Sequence, residues 1–160
     1  METVPVTSEM LELVLGTLGR SAWFQALRDR AKTPEGSRQV DQIVRLTDLL
    51  RFERGEVILK QGDPSDGFFL LLEGSVEVRI ESGEGVAVGR LEPPATFGEI
   101  GLLLDEPRSA TVRAADELLA VRFSSSSFHK MMDTVPQFGL ETSRYLAQRL
   151  KELSKQVSVL

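Results

Sequence analysis

The chain has 160 residues, 41% hydrophobic and 27% charged, with 19 basic and 24 acidic side chains and a net charge of −5. That is enough for one soluble domain with its own core, and the excess of acid gives no basic face for nucleic acid. The absence of cysteine excludes disulfides and thiol chemistry, no apolar run reaches the ~20 residues of a membrane helix, and METVPVTSEM lacks the basic and apolar regions of a secretory leader, so a cytoplasmic location with no membrane partner is expected.

Residues 1–48 read as helical. Met10, Leu11, Val14, Leu15 and Leu18 recur at helical spacing, with Ser8 as the expected N-cap. Gly16 and Gly19 weaken that helix. Trp23, Phe24 and Leu27 form a second apolar stripe, expected in packing between elements rather than in a ligand cage. Thr33-Pro34-Glu35-Gly36-Ser37 reads as a loop, and Val40, Ile43, Val44 and Leu46 as a further helix.

From residue 49 the apolar runs shorten and turn signals multiply: Arg54-Gly55, Gly62-Asp63-Pro64, Gly74, Ser82-Gly83-Glu84-Gly85 and Pro93-Pro94. Strands are expected at 49–53, 57–60, 68–73, 76–81, 86–91, 109–113 and 117–123. Val76-Glu77-Val78-Arg79-Ile80 alternates as a strand with one wet face does. Many short strands between Gly and Pro turns predict a barrel or jelly roll.

Residues 124–160 are helical again. Ser126 or Ser127 is expected to cap a short helix through Met132, and Pro136 suits the first turn of a longer helix from about 137 onward. In it Leu146, Leu150, Leu153, Val157 and Leu160 repeat at heptad spacing. Such a seam fits a helix laid on the β domain and a homodimer contact equally well. The basic residues from Arg144 to Lys155 are interrupted by Glu152 and read as a solvated face.

Catalysis has no visible carrier. The single histidine, His129, has no partners at metal-ligand spacing, so no metal site is expected. No nucleophile elbow, P-loop or dinucleotide fingerprint is present. Ser124 to Ser127 reads as a loop and a helix cap.

What remains is FGEIGLLLDEPRSATV, residues 97–112. Gly98 permits close backbone approach and unusual dihedrals, and a short helix starting near Glu99 points free N–H groups at an anion. Gly101 has no side chain to block that approach. Arg108 offers a planar fork for phosphate, and Ser109 adds a hydroxyl. Glu99 disfavours phosphate itself but would accept from a vicinal hydroxyl, such as a ribose 2′-OH. Phosphate, hydroxyl and apolar wall together point to a nucleotide; the alternative is a structural Glu99–Arg108 ion pair.

The segment FGEIGLLLDEPRSA resembles the phosphate-binding cassette of cyclic-nucleotide-binding domains. RGEVILKQGDPSDGFFLLLEGSVEV resembles the glycine-punctuated β-roll of the same family, with Gly55, Gly62, Asp66, Phe69 and Gly74 at its landmarks. The resemblance implies a mainly β fold with flanking helices. That fold is an antiparallel β-roll (a double-stranded β-helix or jelly roll) over about 49–123, with helices 124–160 completing a binding domain of residues 41–160 behind an N-terminal helical extension, 1–40. It implies Glu99 for the ribose 2′-OH and Arg108 for the cyclic phosphate. The backbone of Gly98, Ile100 and Gly101, with Ser109 and Ala110, completes the cassette, and Arg149 and Ser154 lie near the base. The ligand expected is cyclic AMP in preference to cyclic GMP, with no further cofactor. Occupancy would be transmitted by the last helix to an unidentified protein effector, and that helix is also a possible homodimer contact. Pro94-Ala95-Thr96 departs from the glycine-acid pair that often precedes the cassette, and no DNA-binding domain is expected within these 160 residues. A scaffold on the same fold with an unused pocket is the competing reading.

Overall fold

The computed structural model describes residues 1–81, 86–135 and 137–157. The expected turn at Ser82 to Gly85, Pro136 and Leu160 lie outside them, as do the side chains of Leu27, Leu153 and Val157. No helix among the described residues is long and apolar enough to cross a membrane.

The elements run β1 (Glu2–Thr3), α1 (Ser8–Arg20), a 3-10 turn (Ala22–Phe24), α2 (Gln25–Arg30), α3 (Pro34–Arg45), β2 (Asp48–Phe52), β3 (Val57–Leu59), β4 (Gly67–Glu73), β5 (Val76–Ile80), β6 (Val86–Leu91), β7 (Thr96–Phe97), α4 (Glu99–Leu104), β8 (Thr111–Ala114), β9 (Leu118–Ser124), α5 (Ser125–Thr134) and α6 (Phe138–Val157). Two antiparallel sheets form, in the orders β1-β2-β9-β4-β7 and β3-β8-β5-β6. This is the expected β-roll with flanking helices.

The helix starts differ from expectation. Thr7, not Ser8, caps α1 and accepts from the Met10 N–H at 3.2 Å. Ser124 rather than Ser126 or Ser127 caps α5, accepting from the Ser127 N–H at 3.1 Å. Thr33 to Ser37 is not a loop. Thr33 caps α3, Pro34 occupies its first turn and Glu35 adds an acid there, so the turn-like composition is that of a helix N-terminus.

Burial explains why the first sheet shows no alternation. Phe68, Leu70 and Leu72 of β4, with Leu119, Val121 and Phe123 of β9, pack against the helices through Val14, Leu18, Trp23, Phe24, Val40 and Phe138. The intervening Phe69, Leu71, Leu118 and Ala120 face the second sheet. Both faces are covered, so both must be apolar. Trp23 is fully buried there, with its indole N–H donating to Thr142 Oγ1 at 2.7 Å and its ring stacked on Tyr145 at 5.1 Å. The N-terminal helices therefore share one core with the β-roll and with α6.

The second sheet has a single covered face. Val76 and Val78 turn inward, and Ile80 is exposed. A cavity opens against the inner face of this sheet, lined by Leu59, Val78, Leu91 and Val112.

Candidate ligand-binding site

Four strands, two short segments and one helical side chain line a cavity of about 450 Å³. Leu59, Val78, Gly89, Leu91 and Val112 form an aliphatic wall from β3, β5, β6 and β8. Opposite stand Thr96 to Gly101, then Arg108 to Ala110, with Arg149 reaching in from α6.

The cassette turns on two left-handed residues, Gly98 before α4 and Asp105 after it. Phe97 ends β7, stacked on Phe69 at 5.2 Å. Gly98 then turns the chain with φ +85° and becomes the N-cap of α4. A Cβ at Gly98 would stand 2.9 Å from Arg108 Nη1 and 3.0 Å from Leu59 Cδ1. Glycine is needed there for both its dihedral and its size. Gly101 is bare for a reason the sequence did not suggest. Its Cβ would strike Ser65 Oγ at 2.0 Å, and that hydroxyl donates to the Glu106 carbonyl at 2.7 Å. The missing side chain admits Ser65.

Arg108 is only 5% exposed and its fork is held from three sides. Nη1 donates to the carbonyls of Gly67 and Gly98 at 2.8 and 2.9 Å, and Nη2 to Asp66 Oδ1 at 3.2 Å. Asp66 also accepts from Arg122 at 2.8 Å. The backbone is fixed too: the Arg108 N–H donates to the Asp63 carbonyl, and the Gly62 N–H donates to that of Arg108. The Gly62–Asp66 turn thus clamps the arginine. Burial draws Arg108 below the ordinary guanidinium range, against the pull of Asp66, and the guanidinium remains charged.

Glu99, first residue of α4, is 4% exposed. One oxygen, Oε1, lies 3.6 Å from Arg149 Nη1. The other, Oε2, is buried and has no hydrogen-bond partner among the described residues. Burial pushes this carboxyl above its ordinary 4.5, while Arg149 and Arg108 pull it down. No Glu99–Arg108 ion pair forms among the described residues. Arg108 pairs with Asp66, and Glu99 with Arg149, so the structural-pair alternative does not account for the two charges.

Arg149 is ordered by its neighbour one turn back. Nη1 donates to the Tyr145 hydroxyl at 2.9 Å, which raises the pKa of Arg149, and the same hydroxyl meets Thr96 Oγ1 at 3.3 Å. The expected residues Gly98, Glu99, Ile100, Gly101, Arg108, Ser109, Ala110 and Arg149 all line the one cavity. Ser154 is not among its lining residues; its hydroxyl donates to the Leu150 carbonyl of its own helix at 2.9 Å. Sequence reasoning missed Thr96, Tyr145 and Arg122, and it invoked an apolar wall without naming the residues that form it. Asp66 carried a signal only as a landmark in the turn. Among the described residues no group of His, Cys, Asp or Glu is placed to hold a metal, and exposed His129 packs its Nδ1 against the Ser125 carbonyl.

The chain belongs to the cyclic nucleotide-binding domain family, whose model matches residues 49–135. Over 110 residues, 62% of the chain, it is 37% identical to a cAMP-dependent protein kinase regulatory subunit of Dictyostelium discoideum, and it spans only 34% of that relative. The fold resembles the sensor domain of the transcriptional regulator DNR from Pseudomonas aeruginosa, with TM-score 0.73, 21% identity and coverage of 95% and 96% of the two chains. It also resembles the Thermus thermophilus catabolite activator protein, with TM-score 0.71, 23% identity and coverage of 87% and 62%.

Proposed function

We propose that this chain is a cyclic-nucleotide receptor domain that binds cyclic AMP in preference to cyclic GMP and reports occupancy through α6. The observation that carries the reading is the pairing, in one cavity, of a buried cationic fork with a buried carboxylate oxygen that lacks a partner. A cyclic phosphate would take Arg108, the Ser109 hydroxyl and the Ile100 and Gly101 N–H groups. The ribose 2′-OH would donate to Glu99 Oε2, and the base would lie on the aliphatic wall.

Serine after the arginine supports cyclic AMP, as does the cAMP-dependent relative. Transmission is supported by the contacts that tie α6 to the cavity, Arg149 to Glu99 and Tyr145 to Thr96. A ligand hydroxyl at Glu99 changes the charge balance that Arg149 meets, and α6 shifts population accordingly. The chain acts by binding rather than catalysis. A protein effector reads α6 or the 1–40 extension, and Leu146 and Leu150, 40% and 62% exposed, offer a homodimer seam.

Calorimetric titration of nucleotide-stripped protein with cyclic AMP and cyclic GMP tests this reading. Micromolar or tighter binding, stronger for cyclic AMP, is expected. No heat from either at two temperatures would instead favour a scaffold with an unused pocket.

A further inference from the structure

The aliphatic wall has one gap. Inward positions on the second sheet carry Leu59, Val78, Leu91 and Val112, and between them stands Gly89. The register places it inside. Val76 pairs with Leu91 and Val78 with Gly89, and the pairing then steps over residue 88. Cross-strand partners share a face, and Val76 and Val78 both turn toward the core.

Nothing in the backbone asks for glycine there. Gly89 is not among the positive-φ glycines, unlike Gly55, Gly62, Gly74 and Gly98. A Cβ at Gly89 would meet nothing within 4 Å, whereas at Gly67, Gly74 and Gly101 it would collide with neighbours. The adjacent bulge does not require it either, since the bulge form that needs glycine needs it left-handed. A glycine inside a strand weakens the strand by roughly 0.5–1 kcal/mol relative to alanine. Glycine in such a place marks close approach of a ligand or another chain, and here the open side is the cavity itself.

We propose that Gly89 selects purine over pyrimidine bases, by leaving a notch in the wall for the second ring. The proposal rests on the cyclic-nucleotide reading above. Among the described residues the wall around the notch offers aliphatic side chains, so it reads the size of the base and not its exocyclic groups. A purine fills the notch and removes its own apolar face from water. A pyrimidine leaves the notch wet.

The test is competition binding of cyclic AMP, cyclic GMP, cyclic CMP and cyclic UMP to stripped wild-type protein, to Gly89→Ala and to Gly89→Val. Valine suits a strand, and melting curves confirm that each variant is folded. Wild type is expected to prefer both purines. Gly89→Val should weaken both purines by about tenfold or more, as overpacking does, and leave both pyrimidines within about threefold. Gly89→Ala should fall between. Equal loss for all four nucleotides, unchanged purine binding in Gly89→Val, or a wild type without purine preference would overturn the proposal. Failure of the wild type to bind any of the four would overturn the receptor reading itself, which is a separate result.

Discussion

Glu99 and Arg149 face each other across the mouth of the cavity, with Oε1 3.6 Å from Nη1, while Glu99 Oε2 has no partner among the described residues. A buried carboxylate with one oxygen unsatisfied costs stability. A bound hydroxyl that donated to Oε2 would remove that cost.

The first prediction concerns Glu99→Gln in the ligand-free protein. Burial raises the Glu99 pKa above 4.5, so the folded state holds the proton more tightly than the unfolded chain. Its contribution to stability is fully present below about 4.5 and is lost as pH rises through the folded pKa. At pH 7 Glu99→Gln should therefore be more stable than wild type, by about 1 kcal/mol, and the gap should close as pH falls toward 4.5. Denaturant melts across that range measure it. A destabilised variant, or a gap that ignores pH, would contradict the assignment. The same variant should bind cyclic AMP more weakly, since a neutral acceptor replaces a charged one.

Tyr145→Phe keeps the ring on Trp23 but removes the hydroxyl shared by Arg149 and Thr96. A loss of about 1 kcal/mol is expected, with a change in cyclic AMP affinity because Arg149 loses its orienting partner. A variant with wild-type stability and affinity would show that α6 is not tied to the cavity through this residue.

Trp23 is the only tryptophan, and it stacks on α6 through Tyr145 and Phe138. Trp23→Ala should cost about 3–5 kcal/mol. The intact residue is also a reporter. If ligand moves α6, Trp23 emission should change on saturation with cyclic AMP in wild type. Emission that stays constant while calorimetry records binding would argue against transmission through α6.

How much of this was open to sequence reasoning follows from what each signal depends on. The cassette is local. Gly98, Glu99, Arg108 and Ser109 lie within 12 positions of one another, and their chemistry can be read from that stretch alone. The strands of the roll were visible through turn residues and alternation. β1 and β7 were not, because two residues carry no period. The partners of the two charges depend on the fold. Asp66 reaches Arg108 across 42 positions and Arg149 reaches Glu99 across 50, and no local spacing encodes either. The packing of Ser65 against Gly101 was hidden for the same reason, since Ser65 lies on another turn.

Leu146 and Leu150 stay exposed on α6, which leaves this part of the heptad seam free to meet a second copy. Sedimentation equilibrium should show a dimer, and replacing both leucines by glutamine should shift it to monomer without lowering the melting temperature. A wild-type monomer at all concentrations would remove the seam as a contact.

The most direct measurement is calorimetric titration of stripped wild type and Arg108→Lys with cyclic AMP, side by side. Lysine keeps the positive charge but loses the fork that Gly67, Gly98 and Asp66 hold in place. Wild type is predicted to bind, and the folded variant to bind roughly 100-fold more weakly, about 2.7 kcal/mol. Equal affinity in the two proteins would mean that the phosphate is not held by Arg108, and the site as described would be wrong.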